Sequence, residues 1–469
     1  MYKGLVAKLN TLFPKDRLEK FFYGPIFPIY VALIATLSFA TSAQLVGLLF
    51  FSISATIIFL RFRDVTPIMP LLAMVVLCFR NFSVMGSILP YVFLFPAMFA
   101  FVARFFIYPV KNFKPGKLFF PLIGVSIALF LGGILSDQAN FIGGIATAST
   151  IGPVILVIYL FFSAYVTPPK NFDLKMYICY VLVIVGLTTL AHLAIYHLHT
   201  DVLRDNSFFS AYLGWGNLNS AGALMLLALG ACWYLLTRVK NILAFFVLLI
   251  LLYFGIFISN SDGVLGIALI FTPILVLFTY CHVDRFHRAI FVKIVIITVI
   301  LLLTACAIVV LCYGYDNLME ILIPHFSDSS GTKLYKEALE LFAKYPFFGV
   351  GFGYGQMAPE ISMGIVLYNF HSVLFHVMAT MGLIGVTAYF FYYIERFKIL
   401  MQHYNCFTLF MTITFMMFEC YAFIDTCEFN AIPIMSTLTL LFVVVEHLNK
   451  KSNDQTLPLY IRPFNKTIF

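Results

Sequence analysis

The stretch DSSGTKLYKEALELFAKYPFFGVGFGYGQMAPEISMGIVLYNFHSVLFHVMATMGLIG, residues 328–385, opens in the longest polar interval of the chain and closes inside a hydrophobic run. On either side the sequence is built from apolar runs of about 17–25 residues, the length of helix that crosses a bilayer. Hydrophobic residues make up 62% of the chain and charged residues 11%, where a soluble domain carries roughly a quarter. Such a chain cannot clothe itself in water-compatible surface, so it reads as an integral membrane protein. Continuous runs, rather than in–out alternation, argue against a transmembrane β-barrel. The predicted fold is all-α, a single polytopic membrane domain over 1–469 with about 14 transmembrane helices. The runs lie between residues 23 and 446, among them 68–84, 213–236 and 371–393.

Charge orients the predicted bundle. With the tail 1–22 in the cytoplasm, 24 of the 29 lysines and arginines fall on the cytoplasmic side, Arg104, Arg396 and the tail 447–469 included. Arg80, Arg204, Lys333, Lys336 and Lys344 fall outside, a strong positive-inside bias. Both termini are therefore expected in the cytoplasm, which requires an even number of spans. Acids such as Asp137 and Asp425 lean outward. The long outer loop is 314–370, and loops of that length without a core of their own are often functional. A cleavable signal peptide is not expected, although 40–43 faintly resembles a small-residue cleavage site.

Several function classes are disfavoured. The nine cysteines stand singly, so neither a disulfide framework nor a zinc site is indicated. The net charge of +8 follows the positive-inside bias and does not call for nucleic acid. The glycine run Gly349, Gly351, Gly353, Gly355 is not followed by Gly-Lys-Ser/Thr, so it is not a Walker loop. It permits tight turning and close approach, and a re-entry turn is the plainer reading. Paired, Gly/Pro-interrupted spans of the inverted-repeat transporter kind are not seen.

A few residues could carry chemistry. Apolar and charged residues of 333–345 fall on opposite helical faces, predicting an amphipathic helix stopped by Pro346. It can pack as a lid with a solvated charged face, or lie at the interface with Lys333 and Lys336 meeting a lipid-linked phosphate. His371 opens an apolar run, where a histidine can act as a general base or as a polar anchor. His376 lies about 140° further round the helix, which makes a paired metal site unlikely. Asn217 and Asn219 open another run, as caps or as sugar donors. Ser261 and Asp262 sit in a tight turn between spans, as turn residues or a site wall. Arg80 and Arg204 are outer cations, suited to headgroups or to a pyrophosphate. Glu419, an acid well inside a run, is a functional residue by default or a helix–helix hydrogen-bond partner.

Together these pieces resemble the bacterial O-antigen ligase and O-antigen polymerase family. The family's W-x-x-A-L helix, then P-x-x-G-x-G, H-N-x-x-L and G-I/L-I/L-G, is matched by Tyr335-Lys-Glu-Ala-Leu339, Pro346-Phe-Phe-Gly-Val-Gly351, His371-Ser-Val-Leu-Phe375 and Gly382-Leu-Ile-Gly385. Asn217-Leu-Asn219 is similar to the family's N-P-N. Ser261-Asp-Gly263 stands where S-R-G is usual, with an acid in place of the arginine. The arginine expected just before the amphipathic helix is also absent, with Thr332 and Lys333 near its place. The resemblance covers roughly 205–445.

It implies glycosyl transfer without metal or cofactor at the outer face of the bacterial cytoplasmic membrane, from an undecaprenyl-diphosphate-linked glycan. His371 would deprotonate the acceptor hydroxyl. Lys333, Lys336, Arg204 and Arg80 would stand in for the family's diphosphate-binding arginines, with Asn217, Asn219, Ser261 and Asp262 lining the substrate. The expected partners are the lipid-linked donor, a glycan or lipid acceptor and the membrane, with a polysaccharide flippase and a chain-length regulator nearby and no nucleic acid. The first reading is a polymerase of surface-polysaccharide repeat units. A ligase attaching finished glycan to a lipid or wall acceptor comes second. A lipid-linked oligosaccharide flippase is the rival from another class, and a non-catalytic scaffold the last.

Overall fold

The computed structural model describes residues 15–80, 89–110, 113–137, 141–198, 214, 216–313, 329–352, 354, 370–426 and 432–454. Their regular structure is helical. In chain order the helices are α1 (Lys15–Phe22), α2 (Ile26–Thr41), α3 (Gln44–Arg61), α4 (Ile68–Met74), α5 (Leu89–Ile107), α6 (Phe119–Leu131), α7 (Phe141–Tyr165) and α8 (Leu174–Leu198). They continue with α9 (Leu218–Leu236), α10 (Ile242–Ile258), α11 (Asp262–His282), α12 (Arg285–Tyr313), α13 (Ser329–Lys344), α14 (Val373–Met401), α15 (Cys406–Ala422) and α16 (Ile432–Asp454). Among the described residues six helices are long and apolar enough to cross a membrane, or seven if the bent pair at residues 16–41 is one span. Shorter apolar helices, α6, α10 and α15 among them, accompany these.

The core is α9. It is apolar on every side, and Ser220 to Leu236 are buried throughout, as expected of a helix with no polar stripe to offer solvent. It packs against α8, α10, α11 and α15. Small residues permit the close approach, with Gly230 against Thr414 and Gly186 of α8 against Ala228, the usual basis of helix association in lipid. Outward faces carry large exposed apolar side chains such as Phe99, Phe106, Ile270 and Leu311. In water such faces would aggregate; facing acyl chains they are at home. The molecule is a multi-pass helical membrane protein.

Two expectations need correction. The run 68–84 is not one regular helix. α4 is seven residues long, about 10 Å, and a 3-10 turn at Val76–Cys78 and extended Phe79 follow it. The stretch still connects the two ends of the bundle, because Asp64 holds Tyr23 and Thr167 at one end while Arg80 reaches Ser42 at the other. Irregular backbone of this kind is tolerated at membrane depth when protein encloses it, and Ile68 to Leu71 and Leu77 to Phe79 are buried. Second, Arg396 is not a cytoplasmic loop cation. It lies inside α14, fully buried, 3.2 Å from Glu419, with its guanidinium 4.0 Å from the Tyr392 ring centre. Arg104 is buried too, donating to the carbonyls of Phe59 and Phe62 at the end of α3, where a cation suits the helix dipole.

Candidate functional site

The site is built on a break in α14. Gly382 has φ +62° and ψ −154°, outside helical space. A broken helix leaves N–H and C=O groups without intrahelical partners, which is costly away from water. The segment Pro346–Gly351 supplies them. Val350 and Gly351 donate to the carbonyls of Ala379 and Thr380, each at 2.8 Å, and Leu383 donates to Pro346 at 2.7 Å. On its other side, Phe348 accepts from Gly133 at 2.8 Å. A Cβ on Gly382 would stand 2.5 Å from the Phe347 carbonyl carbon, and Gly349 and Gly351 also have positive φ. The two glycine motifs are therefore halves of one backbone joint. Gly353 and Gly355 lie outside the described residues.

That joint positions α13. The helix runs over Ser329–Lys344, a turn earlier at its start than expected. It buries Ala338 and Leu341 against Val350, Phe370 and Ala379 and leaves Lys333, Lys336 and Lys344 exposed. At its end Tyr345 hydrogen-bonds Asp137, and Lys344 lies 3.9 Å from the same carboxylate. The Tyr345 hydrogen bond and then the Lys344 charge hold the Asp137 carboxyl below its usual range.

His371 stands just before α14 with φ +48°, a left-handed conformation that non-glycine residues keep only when their surroundings enforce it. The enforcing contact comes from α13, where the Tyr335 hydroxyl donates to the His371 carbonyl at 3.0 Å and its ring stacks on Phe375 at 4.6 Å. Burial, and then the Asp425 charge, push the Tyr335 phenol above its usual range, so it stays a donor. The His371 imidazole is 51% exposed, and its Nδ1 lies 3.9 Å from Oδ1 of Asp425, which is 4% exposed. This is ion-pair reach rather than a hydrogen bond. Asp425 is fixed from behind. It accepts from Tyr421 Oη at 2.9 Å and from the Thr426 N–H at 2.7 Å, and Tyr421 in turn meets Ser261 Oγ at 3.2 Å. One accessible imidazole, backed by one hidden and oriented carboxylate, is an arrangement suited to taking a proton from an incoming hydroxyl.

The remaining expected site residues are distributed unevenly. Ser261 joins this polar relay, and Asp262 beside it is exposed at the start of α11. Asn217 caps α9, accepting from Ser220 N–H at 2.8 Å, and Asn219 is half-buried in the first turn. Lys336 lies 3.9 Å from Glu340 and about 100° round α13 from Tyr335. Arg80 bonds Ser42 at 3.2 Å, and no described contact joins it to His371. Arg204 lies outside the described residues. His376 is buried, its ring 4.9 Å from Phe352. Glu419 is joined to Arg396, away from the relay. Sequence reasoning missed Asp425 and Tyr421 as site residues. Their i, i+4 spacing at the end of an apolar run was the available signal.

Fold and site together describe a multi-pass helical membrane protein with a histidine–carboxylate pair at one end of its bundle. Residues 247–390 match the family model described as O-antigen ligase, so this part of the chain is similar to that family. The match spans α10 to the broken α14 and so contains Ser261, α13, the glycine joint and His371, while Tyr421 and Asp425 lie beyond it. No curated protein matches the chain. The match supports glycosyl transfer of the O-antigen ligase/polymerase type in general terms.

Proposed function

We propose that the protein polymerises surface-polysaccharide repeat units by glycosyl transfer from an undecaprenyl-diphosphate-linked glycan, without a metal. The observation that carries this reading is the half-exposed His371 imidazole 3.9 Å from a buried, doubly anchored Asp425. His371 takes the proton of the acceptor hydroxyl, and Asp425 stabilises the imidazolium that forms. The acceptor oxygen bonds to the anomeric carbon as the bond from that carbon to the diphosphate oxygen breaks, and the lipid diphosphate leaves with the electron pair. Lys333 and Lys336 on α13, with Arg80 and Arg204, offset the charge gathering on it, the electrostatic contribution that is usually largest. Ser261, Asp262, Asn217 and Asn219 line the sugar path. About fourteen spans, with both termini cytoplasmic and the His371 end outside, fit the positive-inside bias. α13, within the loop 314–370, covers His371 at that face.

The test is transfer in vitro from a lipid-linked repeat unit. His371→Ala is expected to insert normally and to lose transfer by about 10²-fold or more; unchanged product would remove His371 from the mechanism. Product length then separates polymerisation, which yields a ladder, from a single ligation.

A further inference from the structure

At the end of the bundle far from His371, a cleft of about 420 Å³ opens between the start of α8, the end of α9 and α16. Its wall carries Lys170, Lys175 and Arg238, with His447 beside them. The lining contains one carboxylate, Asp173, and that group is already engaged. Its Oδ1 accepts the N–H groups of Lys175 and Met176, each at 3.1 Å, capping α8. Three cations therefore line the cleft with a single carboxylate, which caps α8. Phe172, Leu174, Tyr234 and Leu448 add apolar surface to the mostly polar lining, and Arg238 lies over the Tyr234 ring, 5.8 Å from its centre. The cleft sits where the apolar bodies of α8 and α9 end, the depth at which a headgroup meets acyl carbon. Glycosyl transfer at the other end makes no use of it.

We propose that this cleft binds the phosphate headgroup of an anionic phospholipid from the leaflet at that end, with the glycerol and first acyl carbons against Phe172, Leu174, Tyr234 and Leu448. Lys170 and Lys175 at the start of α8 and Arg238 past the end of α9 line the same cleft, a set of cations suited to a phosphate. The mixed lining favours an amphiphile over a soluble anion. The proposal is independent of the glycosyl-transfer reading.

The experiment is native mass spectrometry of the full chain released from bilayers of mixed phosphatidylglycerol and phosphatidylcholine with matched acyl chains. Wild type is expected to retain phosphatidylglycerol selectively. Lys170→Gln/Arg238→Gln should lose that preference by about tenfold or more, the size expected for two basic residues. Arg285→Gln/Lys293→Gln, which removes two exposed charges from the same end but outside the cleft, should keep it. Equal retention of the two lipids by wild type overturns the proposal, whatever the variants do. An equal loss in both double variants overturns it in favour of a diffuse surface charge. Inorganic phosphate that raises the melting point of wild type but not of Lys170→Gln/Arg238→Gln, with no lipid preference in wild type, makes the cleft a free-phosphate site and overturns the lipid reading.

Discussion

His371 and Asp425 are separated by 54 positions in the chain and by 3.9 Å in space. The carboxylate is hidden and the imidazole reachable, so the two differ in role. Under the proposed chemistry, Asp425→Asn keeps the hydrogen bond from Tyr421 and removes the charge behind the ring. Transfer should fall by about 10²-fold with normal insertion, read in single-turnover assays. Tyr335→Phe removes only the bond to the His371 carbonyl, so a smaller loss is expected, recovered in part by the stacking on Phe375 that it leaves intact. Glu419 belongs to a different account. It faces an arginine enclosed by Tyr392, Tyr393 and Phe415. Truncating one partner of such a pair strands a buried charge at a cost of about 3–5 kcal/mol. Glu419→Ala should therefore lower the melting point in detergent sharply, and the double change Glu419→Ala/Arg396→Leu should lower it less.

The joint between Pro346–Gly351 and the break in α14 fixes the position of α13 over His371. A regular helix needs no such partner; this one does, because Gly382 interrupts the ladder that would have satisfied Ala379 and Thr380. Gly382→Ala introduces a Cβ against the Phe347 carbonyl at a left-handed φ, a strain of order 1–3 kcal/mol before any clash. The expected result is a lower melting point together with loss of transfer, since the half-helix behind His371 must shift. Gly266→Ala, in open space on α11, should change neither. An equal effect of the two substitutions would show that the joint does not matter.

At the scale of the whole molecule, the described contacts sort the chain into two ends. Ser42, Arg80, Asp137, Ser261, His371 and Asp425 gather at one, and Asp64, Lys117, Arg238 and Glu446 at the other. The second end also holds a polar staple in which Glu446 accepts from Tyr159 at 2.5 Å and from the Lys117 N–H at 2.7 Å. If the His371 end faces outward, Lys336→Cys is labelled in intact cells by a membrane-impermeant maleimide and Lys240→Cys only after lysis, each measured against the labelling of wild type. The reverse pattern would invert the topology and remove the proposed outer site.

Composition and run length determined that this chain is helical and lives in a bilayer, because only helices and closed barrels satisfy every backbone group there and continuous apolar runs do not fit the in–out alternation of a barrel. The motifs also marked α13, the glycines and His371, each a local pattern with a local cause. What α14 does at Gly382 was not legible, since a single glycine in an apolar run reads equally well as unbroken helix. Nor could the run show that Arg396 is buried or that 68–84 is interrupted. The pairing of His371 with Asp425 was decided by tertiary structure, which brings α15 beside α14 and points Tyr421 at the carboxylate. Contacts between residues so far apart in sequence leave no period or spacing to read, and only the packing of helices around α9 creates them.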